Sequence, residues 1–571
     1  MNDMPWIHSY PAGVRWDIDI QPAPVPRILE ASAAKWPDRP ALEFMGRRIS
    51  YRELDGLAGR AAKGLQQLGV KPGVHVGLYL ANSPHYVIAF FGILKAGGTV
   101  VNYSPLDAAK VLEHKIDDSR TDFLVTLDLA ALYPNMAGMV GKTRLQKLIV
   151  GNLGEMSPAP DAVNAQLKAG KQLAEVAWGE RRLSFAALLD NDGKYTAHPI
   201  ADPAQTVAVL QYTGGTTGLP KGAMLTHANL WSAAAQCAET AGGEPPVLVA
   251  GEERFLWVLP PFHIYALTVN MLFGLMVGAE LIQHMRFDPK AALEDIANKK
   301  ITVFCAVPTM FTALVGHPDT ANYDLRSMKY CISGGAPLPV EVEQRYTQIT
   351  GAPICEGWGM TETSTAGTYT PARGKNKSGS CGIPLPRIEI KMLSLADPAN
   401  YVARGEKGEM CIKGPNVMQG YWNNPEATAK ETTFDGFFRT GDVATMDEDG
   451  YVFIVDRTKD MLLCSGFNVY PRVLEEAIYQ HPAVAEVCVI GIPDEYRGQS
   501  PKAFLTLKPG TETFTLAQLQ AFLKDKLGKH EMVQALEIRD SLPKTPIGKL
   551  SKKDLVDEEV QAQARKRAAQ A

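Results

Sequence analysis

Strand-like and helix-like patterns alternate along most of this chain, and the alternation constrains the fold more than any other feature. Residues 75–80 (HVGLYL) are typical of a buried strand, and residues 86–96 are typical of a helix that ends at Gly97. The alternation lasts to about residue 150, resumes at Val207 and continues past residue 350. Because parallel strands need a crossover connection, usually a helix, the pattern predicts an α/β fold with mostly parallel sheets.

The pattern changes twice in the C-terminal third. From about residue 380 short strand patterns dominate, as at residues 388–392, and they predict a β-rich subdomain. A second change falls at residues 456–460, beyond which helix, strand, strand and helix patterns predict a small α+β domain. We therefore expect a large N-terminal domain at residues 1–455 and a small C-terminal domain at residues 461–571.

Charge and cysteine usage narrow the function classes. The 571 residues carry 58 Lys and Arg against 62 Asp and Glu, so a strongly basic nucleic-acid binder is excluded and no nucleic-acid partner is expected. The eight cysteines include no pair at the spacing of a zinc ribbon or a redox dithiol, and they fit reduced thiols in a cytoplasm. The N-terminus has no signal-peptide pattern, which also favours a cytoplasmic location.

The most apolar stretch, residues 255–279, carries no charge and raises the question of a membrane span. It contains adjacent prolines at 260 and 261 and a histidine at 263, and its proline-free part is only just long enough to cross a bilayer. We interpret it as a buried helix in a large core and expect no transmembrane segment.

The sharpest local signal is the run YTGGTTGLPKG at residues 212–222. A strand pattern precedes the run, and a capped helix follows near Thr226. Glycines allow backbone N–H groups to turn toward an anion, threonine hydroxyls add donors, and Lys221 supplies a mobile positive charge. The spacing is not that of a Walker A loop. The run predicts a phosphate-binding loop, with a flexible surface turn as the alternative.

This loop resembles the signature of the adenylate-forming enzymes, the superfamily of acyl-CoA synthetases, luciferases and peptide-synthetase adenylation domains. Five further segments resemble its other motifs, in the same order: SGGAPL at 333–338, EGWGMTET at 356–363, RTGD at 439–442, DRTKDMLLCSGFNVYP at 456–471 and LPKTPIGK at 542–549. The resemblance covers residues 25 to 555, and in detail the chain is most similar to bacterial medium- and long-chain fatty-acid–CoA ligases.

The resemblance implies an ATP-dependent, AMP-forming acid–thiol ligase that uses Mg²⁺. A carboxylate attacks the α-phosphorus of ATP, giving an acyl-adenylate and pyrophosphate, and the thiol of coenzyme A then displaces AMP. Since ATP and a carboxylate repel each other, such a site must supply positive charge and oriented dipoles. The implied partners are therefore a small-molecule carboxylic acid, ATP and coenzyme A.

The resemblance also assigns catalytic roles. Thr361 is implied to contact the α-phosphate, Glu362 to bind Mg²⁺, and Lys549 to bridge the substrate carboxylate and the α-phosphate. A carboxylate that only stabilises a helix N-terminus is the alternative for Glu362. The β- and γ-phosphates are implied to lie against Lys221 and the loop residues Thr213, Gly214, Gly215, Thr216, Thr217 and Gly218.

The resemblance also implies residues that bind the nucleotide, most of them small and two of them charged, and a glycine, Gly466, near coenzyme A. Asp442 is implied to accept hydrogen bonds from the ribose hydroxyls, and Arg457 to reach the ribose or a phosphate. A β-turn Asp and a surface Arg are the structural alternatives, and Trp358 could equally be a core residue. The remaining residues implied in these sites are Gly334, Gly335, Ala336, Gly357, Trp358, Gly359 and Gly466.

Two further expectations concern motion and substrate. The small C-terminal domain is implied to be mobile, with a hinge at residues 456–460 centred on Lys459. His263, Tyr265 and Met360 are implied to border the acyl pocket, with a buried structural role as the alternative for His263. Burial contributes roughly 0.8 kcal/mol per CH₂, so an apolar tunnel favours a medium- or long-chain fatty acid.

Alternatives to this substrate and activity are a pimelate-like dicarboxylate, an aryl acid, and a fatty-acyl-AMP ligase that does not use coenzyme A. A homodimer and peripheral membrane contact are also compatible with the resemblance.

Overall fold

The structure is a computed structural model that describes residues 4–213, 220–336, 338–464, 467–494, 497–529, 531–545 and 550–570. The chain divides into two compact units. The first contains Met1–Glu389 and Lys413–Thr432, and the second contains Ile390–Ile412 and Thr433–Ala571. Residues 456–460 lie within the second unit, and their role as a hinge stays a prediction.

The strands, numbered in chain order, are β1 (Pro40–Phe44), β2 (Arg47–Ser50), β3 (His75–Tyr79), β4 (Thr99–Asn102), β5 (Thr121–Leu127), β6 (Lys147–Gly151), β7 (Arg182–Ser184), β8 (Val207–Thr213), β9 (Lys221–Thr226), β10 (Arg254–Trp257), β11 (Glu280–Gln283), β12 (Val303–Ala306), β13 (Tyr330–Gly334), β14 (Ile354–Gly357), β15 (Thr368–Tyr369), β16 (Ile383–Pro384), β17 (Glu389–Leu393), β18 (Gly408–Lys413), β19 (Gly420–Tyr421), β20 (Phe438–Met446), β21 (Val452–Arg457), β22 (Leu462–Cys464), β23 (Phe467–Val469), β24 (Val484–Asp494), β25 (Gly498–Leu507) and β26 (Ala535–Ile538).

The α-helices are α1 (Pro26–Lys35), α2 (Tyr51–Gln67), α3 (Pro84–Lys95), α4 (Ala109–Asp118), α5 (Tyr133–Ala137), α6 (Pro160–Ala169), α7 (Phe185–Leu189), α8 (His227–Thr240), α9 (Phe273–Met276), α10 (Pro289–Lys299), α11 (Pro308–Gly316), α12 (Val340–Thr350), α13 (Pro425–Lys430), α14 (Pro471–Tyr479), α15 (Leu516–Leu523) and α16 (Lys552–Gln570). Short 3₁₀ turns lie at Pro5–Ser9, Leu153–Met156, Thr320–Asn322 and Thr361–Thr363, and a π-helix lies at Ala266–Leu272.

The first unit is built on two large sheets with helical crossovers. One has the strand order β14-β13-β12-β10-β11-β1-β2, and the other has the order β19-β9-β8-β4-β3-β5-β6-β7. Neighbours run parallel except at β1–β2, β8–β9 and β9–β19, which are antiparallel. Ligands of such sheets bind beyond the carboxyl ends of the parallel strands, and here β8, β13 and β14 end at the predicted motif residues.

Local sequence explains why these elements form. Every residue of β3 and of α3 is buried, as expected for a strand and a helix covered on all sides. The side chain of Ser50 accepts a hydrogen bond from the Glu53 N–H at 3.1 Å, which caps the N-terminus of α2.

The apolar stretch at residues 255–279 is buried, as predicted, but it is not one helix. It contributes strand β10 and then, after Pro260 and Pro261, the π-helix and α9. Prolines lack a backbone N–H, so they separate the strand from the helix. Among the residues that the structure describes, every helix is too short or too polar to span a bilayer.

The second unit is richer in antiparallel strands. One sheet has the order β17-β18-β20-β21, and the other has the order β23-β22-β25-β24 with β26 parallel to β25. Helices α14 and α15 pack on the second of these sheets through a buried apolar cluster that includes Leu474, Ile478, Leu519 and Leu523. The predicted fold class is therefore confirmed: mostly parallel α/β sheets, a β-rich part and a smaller α+β part.

Candidate nucleotide- and acid-binding site

The predicted phosphate loop connects two antiparallel strands, β8 and β9. Thr213 and Lys221 are paired residues at the loop end of this hairpin, and the Thr213 hydroxyl donates to the Lys221 carbonyl at 3.4 Å. The loop residues Gly214, Gly215, Thr216, Thr217 and Gly218 lie outside the described residues. The structure therefore places the two ends of the loop side by side, with the Lys221 ammonium at one of them.

The hairpin is braced on one face by Asp118. The Tyr212 hydroxyl donates to Asp118 Oδ2 at 2.5 Å, and the Trp422 indole N–H donates to the Asp118 carbonyl at 2.9 Å. Burial, together with the neighbouring Asp118 carboxylate, raises the pKa of Tyr212 well above its usual value, so its hydroxyl remains a donor. The base of the loop is thus held in one arrangement.

A chain of buried polar side chains leads from the hairpin to the predicted acyl pocket. Tyr86 donates to Asn102 at 2.9 Å, Asn102 donates to Gln211 at 2.8 Å, and Gln211 donates to the Phe262 carbonyl at 2.7 Å. Buried polar groups cost free energy when they are unpaired, so each hydrogen bond in this series fixes the orientation of the next side chain. Gln211 precedes the phosphate motif by one residue and Phe262 precedes His263, so the chain joins two predicted sites.

Glu362 lies in a buried 3₁₀ turn, Thr361–Thr363, which follows the end of β14. The Thr363 hydroxyl accepts a hydrogen bond from the Met360 N–H at 3.1 Å. From elsewhere in the chain, the Asn416 amide donates to the carbonyls of Thr363 and Ala366, each at 2.8 Å. The turn that carries Thr361 and Glu362 is therefore anchored from both sides.

Gly359 is required in this turn by close packing of backbone on backbone. A Cβ atom added to Gly359 would lie 1.4 Å from the Thr365 carbonyl oxygen. Thr365 and its neighbour Ser364 both have positive φ, at 128° and 52°, a conformation that side-chain-bearing residues rarely adopt. Gly359 thus allows the backbone at Ser364 and Thr365, just after Glu362, to turn back and pack against it.

Lys221 and Glu362 both contact the side chain of Tyr421, a residue that the sequence did not predict to be in the site. The Tyr421 hydroxyl donates to Glu362 Oε1 at 2.8 Å. The Lys221 ammonium lies over the same ring, 4.3 Å from its centroid. Tyr421 follows Gly420 in a two-residue strand outside the six motifs, and no local pattern marks it as a site residue.

The ends of β13 and β14 lie next to each other, with Gly334 paired to Gly357. Gly335 and Ala336, beyond the end of β13, are exposed. Trp358 is half-buried, and its backbone N–H donates to the Thr368 hydroxyl at 3.2 Å. This edge has the small residues and the open surface that a flat ring needs, and the roles of these residues in adenine binding stay a prediction.

Tyr265 packs against the same edge. Its hydroxyl donates to the Ile332 carbonyl at 3.0 Å, and an added Cβ on Gly334 would lie 3.2 Å from its ring. Burial raises the pKa of Tyr265 well above its usual value, so the hydroxyl stays protonated. His263 is half-buried, and its Nδ1 accepts a hydrogen bond from the Tyr265 N–H at 3.3 Å. Two of the three predicted pocket residues are thus in contact, and the half-buried Met360 lies in the neighbouring Glu362 turn.

In the second unit, Asp442 on β20 and Arg457 on β21 are cross-strand partners. Arg457 Nε lies 3.0 Å from Asp442 Oδ1, and the carboxylate is buried while the guanidinium is about half exposed. Lys459 lies in the turn after β21. Gly466 and Lys549, which the resemblance implies in coenzyme A binding and catalysis, lie outside the described residues.

The residues around Glu362 fit a magnesium ion that is also coordinated by phosphate and water. They do not fit a metal ion coordinated only by protein side chains. In the described ranges no three His, Cys, Asp or Glu side chains are grouped to hold a metal ion. Mg²⁺ usually takes one or two carboxylates and completes its shell with phosphate oxygens and water. One buried carboxylate is a donor set of this kind, and Lys221, which lies over the ring of the same Tyr421, supplies a cation for the phosphates.

Comparisons with known proteins agree with this geometry. The model of the AMP-binding enzyme family matches residues 29–422, and the model of the AMP-binding enzyme C-terminal domain matches residues 473–549. A long-chain-fatty-acid–CoA ligase of Bacillus subtilis is 37% identical over 560 residues, covering 98% of each chain. A long-chain-fatty-acid–CoA ligase of Escherichia coli is 36% identical over 559 residues, covering 97% of this chain and 98% of its own.

Solved structures give the same result for the fold. The crystal structure of ATP-bound MatB from Rhodopseudomonas palustris superimposes with a TM-score of 0.81 at 29% identity, covering 94% of this chain and 99% of its own. Together with the family-model matches, these relatives place the chain in the class of adenylate-forming enzymes, and the predicted resemblance is confirmed. The chain belongs to the AMP-binding enzyme family. It is an AMP-forming acid–thiol ligase, with ATP, Mg²⁺ and coenzyme A as its cofactor and cosubstrates.

Proposed function

We propose that this enzyme activates a long-chain fatty acid and transfers the acyl group to coenzyme A. The observation that carries the proposal is the convergence of Lys221 and Glu362 on Tyr421, which provides a cation and a carboxylate for Mg²⁺ and ATP. Two relatives support the substrate class. They are long-chain-fatty-acid–CoA ligases, and they match this chain over nearly their whole length at 37% and 36% identity.

In the first half-reaction a carboxylate oxygen bonds to the α-phosphorus while the bond from that phosphorus to pyrophosphate breaks. Lys221 and Thr213 hold the β- and γ-phosphates and stabilise the departing pyrophosphate, since an ammonium and a hydroxyl both donate to phosphate oxygens. Thr361 contacts the α-phosphate. When bound through Glu362, Mg²⁺ neutralises phosphate charge. Lys549 offsets the repulsion between the two anions as they meet.

In the second half-reaction the coenzyme A thiol, having lost its proton, attacks the acyl carbonyl, and AMP leaves as the thioester forms. We propose that residues 461–571 act here as a separate, mobile domain, with Lys459 as the hinge residue and Gly466 at the pantetheine entry. The match of a distinct C-terminal family model to residues 473–549 supports this division. Asp442 and Arg457 hold the ribose through both steps.

The apolar segment after Tyr265 supports a preference for a long acyl chain. The π-helix at Ala266–Leu272 is buried and mostly apolar, and it begins immediately after Tyr265. Each additional CH₂ that a tunnel beside it buries contributes roughly 0.8 kcal/mol, so affinity rises steeply with chain length. A dicarboxylate would place a second charge in this apolar surrounding at a large cost.

A screen of pyrophosphate release tests the proposal. Saturated monocarboxylates from acetate to octadecanoate, and dicarboxylates of matching length, are offered with Mg²⁺ and ATP, with and without coenzyme A. We expect the highest kcat/KM with long monocarboxylates and stoichiometric thioester when coenzyme A is present. A preference for dicarboxylates, or acyl-adenylate without thioester, would replace the proposal by one of its alternatives.

We further propose a cytoplasmic location, which the free state of all eight cysteines supports, because thiols persist in a reducing compartment. Expression of a tagged copy followed by fractionation tests the location, and co-sedimentation with vesicles tests peripheral membrane contact. A homodimer predicts twice the chain mass of 62.1 kDa in light scattering.

A further inference from the structure

The position of Tyr421 is set by the phosphate hairpin itself. Its strand, β19, pairs antiparallel with β9, so that Tyr421 lies opposite Ala223, two residues beyond Lys221. The Tyr421 N–H donates to the Thr428 hydroxyl at 2.9 Å, and the side chain is buried. The strand pairing therefore fixes the position of Tyr421 relative to the hairpin that carries the phosphate loop.

The hydroxyl of Tyr421 fixes the orientation of the Glu362 carboxylate. The hydroxyl donates to Glu362 Oε1 at 2.8 Å, and both side chains are buried, so the carboxylate has few other orientations open to it. A hydrogen bond from a neutral donor to a carboxylate is stronger than one between neutral groups. The Glu362 backbone is held by the same segment, because its carbonyl accepts from the Met418 N–H at 2.7 Å.

The face of the ring holds the cation. The Lys221 ammonium, 4.3 Å from the ring centroid, is within the range of a cation–π interaction, which limits where a long and flexible side chain can go. Tyr421 thus contacts the Lys221 ammonium with the face of its ring and the Glu362 carboxylate with its hydroxyl.

We propose that Tyr421 is a positioning residue that presents Glu362 to Mg²⁺ and Lys221 to the phosphates of ATP in a fixed mutual geometry. This inference rests on the proposed function and adds to it a residue that acts through two others. Mutation of a residue that orients a ligating carboxylate typically lowers metal affinity by about tenfold to a hundredfold. A residue with only a packing role would affect stability instead.

The test compares Tyr421→Phe with wild type in the full-length protein. Phenylalanine keeps the ring and its contact with Lys221 but removes the hydroxyl. We expect the Mg²⁺ concentration for half-maximal pyrophosphate release to rise about tenfold, and calorimetric binding of ATP to weaken in the presence of Mg²⁺ but not in EDTA. Synthetic acyl-adenylate with coenzyme A should give thioester at the wild-type rate. Tyr421→Leu, which also removes the ring, should weaken ATP binding in EDTA as well.

Tyr51→Phe is the matched control. Its hydroxyl is also buried, but it donates to the Ala279 carbonyl at 2.7 Å, away from both Lys221 and Glu362. This variant is expected to lose stability without any change in Mg²⁺ dependence. The inference is overturned if Tyr421→Phe and wild type require the same Mg²⁺ concentration, or if Tyr51→Phe shows the same shift. If wild type itself released no pyrophosphate with any fatty acid, the proposed function would fail instead, and the calorimetric arm would still decide the role of Tyr421.

Discussion

Asp442 and Arg457 face each other across strands β20 and β21, and their charged groups are 3.0 Å apart. The Asp442 side chain is only 3% exposed, whereas that of Arg457 is 46% exposed. The guanidinium reaches solvent while the carboxylate is buried, so the ion pair holds Asp442 in one orientation. Asp442, which the resemblance assigns to the ribose, and Arg457, which it assigns to the ribose or a phosphate, therefore form one ion pair.

Asp442→Asn is expected to weaken nucleotide binding. The amide keeps the size of the side chain but loses the charge, and hydrogen bonds to a charged group exceed neutral ones by roughly 1 kcal/mol or more. The KM for ATP in pyrophosphate release should rise roughly tenfold. Arg404→Gln, which breaks an ion pair with the exposed Glu448 in the same unit, is the control and should leave this KM unchanged. An unchanged KM in Asp442→Asn would remove the residue from the ribose site.

Gly359→Ala is expected to abolish most adenylation. The added Cβ would lie 1.4 Å from the Thr365 carbonyl, so the turn that carries Glu362 must move. A displacement of catalytic groups by about 1 Å can cost a hundredfold in rate. Both kcat/KM and the melting temperature should fall. Gly316→Ala, where an added Cβ has open space, is the matched control, and equal activity in the two variants would contradict the geometry.

Lys549→Ala should separate the two half-reactions. Without the ammonium, the repulsion between carboxylate and α-phosphate is uncompensated, so pyrophosphate release should fall by about three orders of magnitude. Synthetic acyl-adenylate should still react with coenzyme A. Lys544→Ala is a suitable control, since Lys544 pairs with Glu486 at 2.6 Å. Normal adenylation by Lys549→Ala would assign the first step to another cation.

Lys459→Pro should impair the second half-reaction, thioester formation, more than the first. Proline fixes φ and so limits the dihedral change that a hinge residue must make. Thioester formation should fall about tenfold more than pyrophosphate release in single-turnover experiments. Lys459→Ala, which leaves the backbone free, should separate the dihedral effect from loss of the side chain. Equal losses in both steps would reject Lys459 as the hinge.

His227 should make stability depend on pH. It is buried, its Nδ1 accepts a hydrogen bond from the Val25 N–H at 3.0 Å, and burial lowers its pKa from 6.5 to about 4. Between these values the unfolded chain binds more protons than the folded chain, so the free energy of unfolding falls as the pH drops, by up to about 3 kcal/mol. Above about pH 7.5, where the imidazole is neutral in both states, the residue adds no pH dependence.

Denaturant titrations of wild type and His227→Gln between about pH 7.5 and pH 4.5 would measure this contribution. The difference in unfolding free energy at pH 7.5, where the wild-type imidazole is neutral in both states, gives the baseline. The variant should lose less stability than wild type as the pH falls. Parallel curves would show that His227 does not titrate as its burial requires.

The positions of the motif residues at strand ends could be predicted from the sequence because the signals are local, while the roles of these residues stay predictions. Periodicity of apolar residues defines strands and helices over a few positions, and the ends of β8, β13 and β14 fall where the glycine-rich motifs begin. Lys221, Glu362 and Asp442 stand inside motifs whose residue types suit phosphate, metal and ribose. The apolar stretch at residues 255–279 was predicted as buried but not as a strand followed by a π-helix, since prolines only suggest where the break falls.

The amino-acid sequence by itself determined the α/β class through the alternation of strand and helix patterns, and six short motifs identified the enzyme family by resemblance. Only the tertiary structure decided that Tyr421, 59 residues beyond Glu362, would join that carboxylate to Lys221. The physical reason is that this contact requires β19 to pair with β9, and strand pairing between distant segments depends on the packing of the whole sheet.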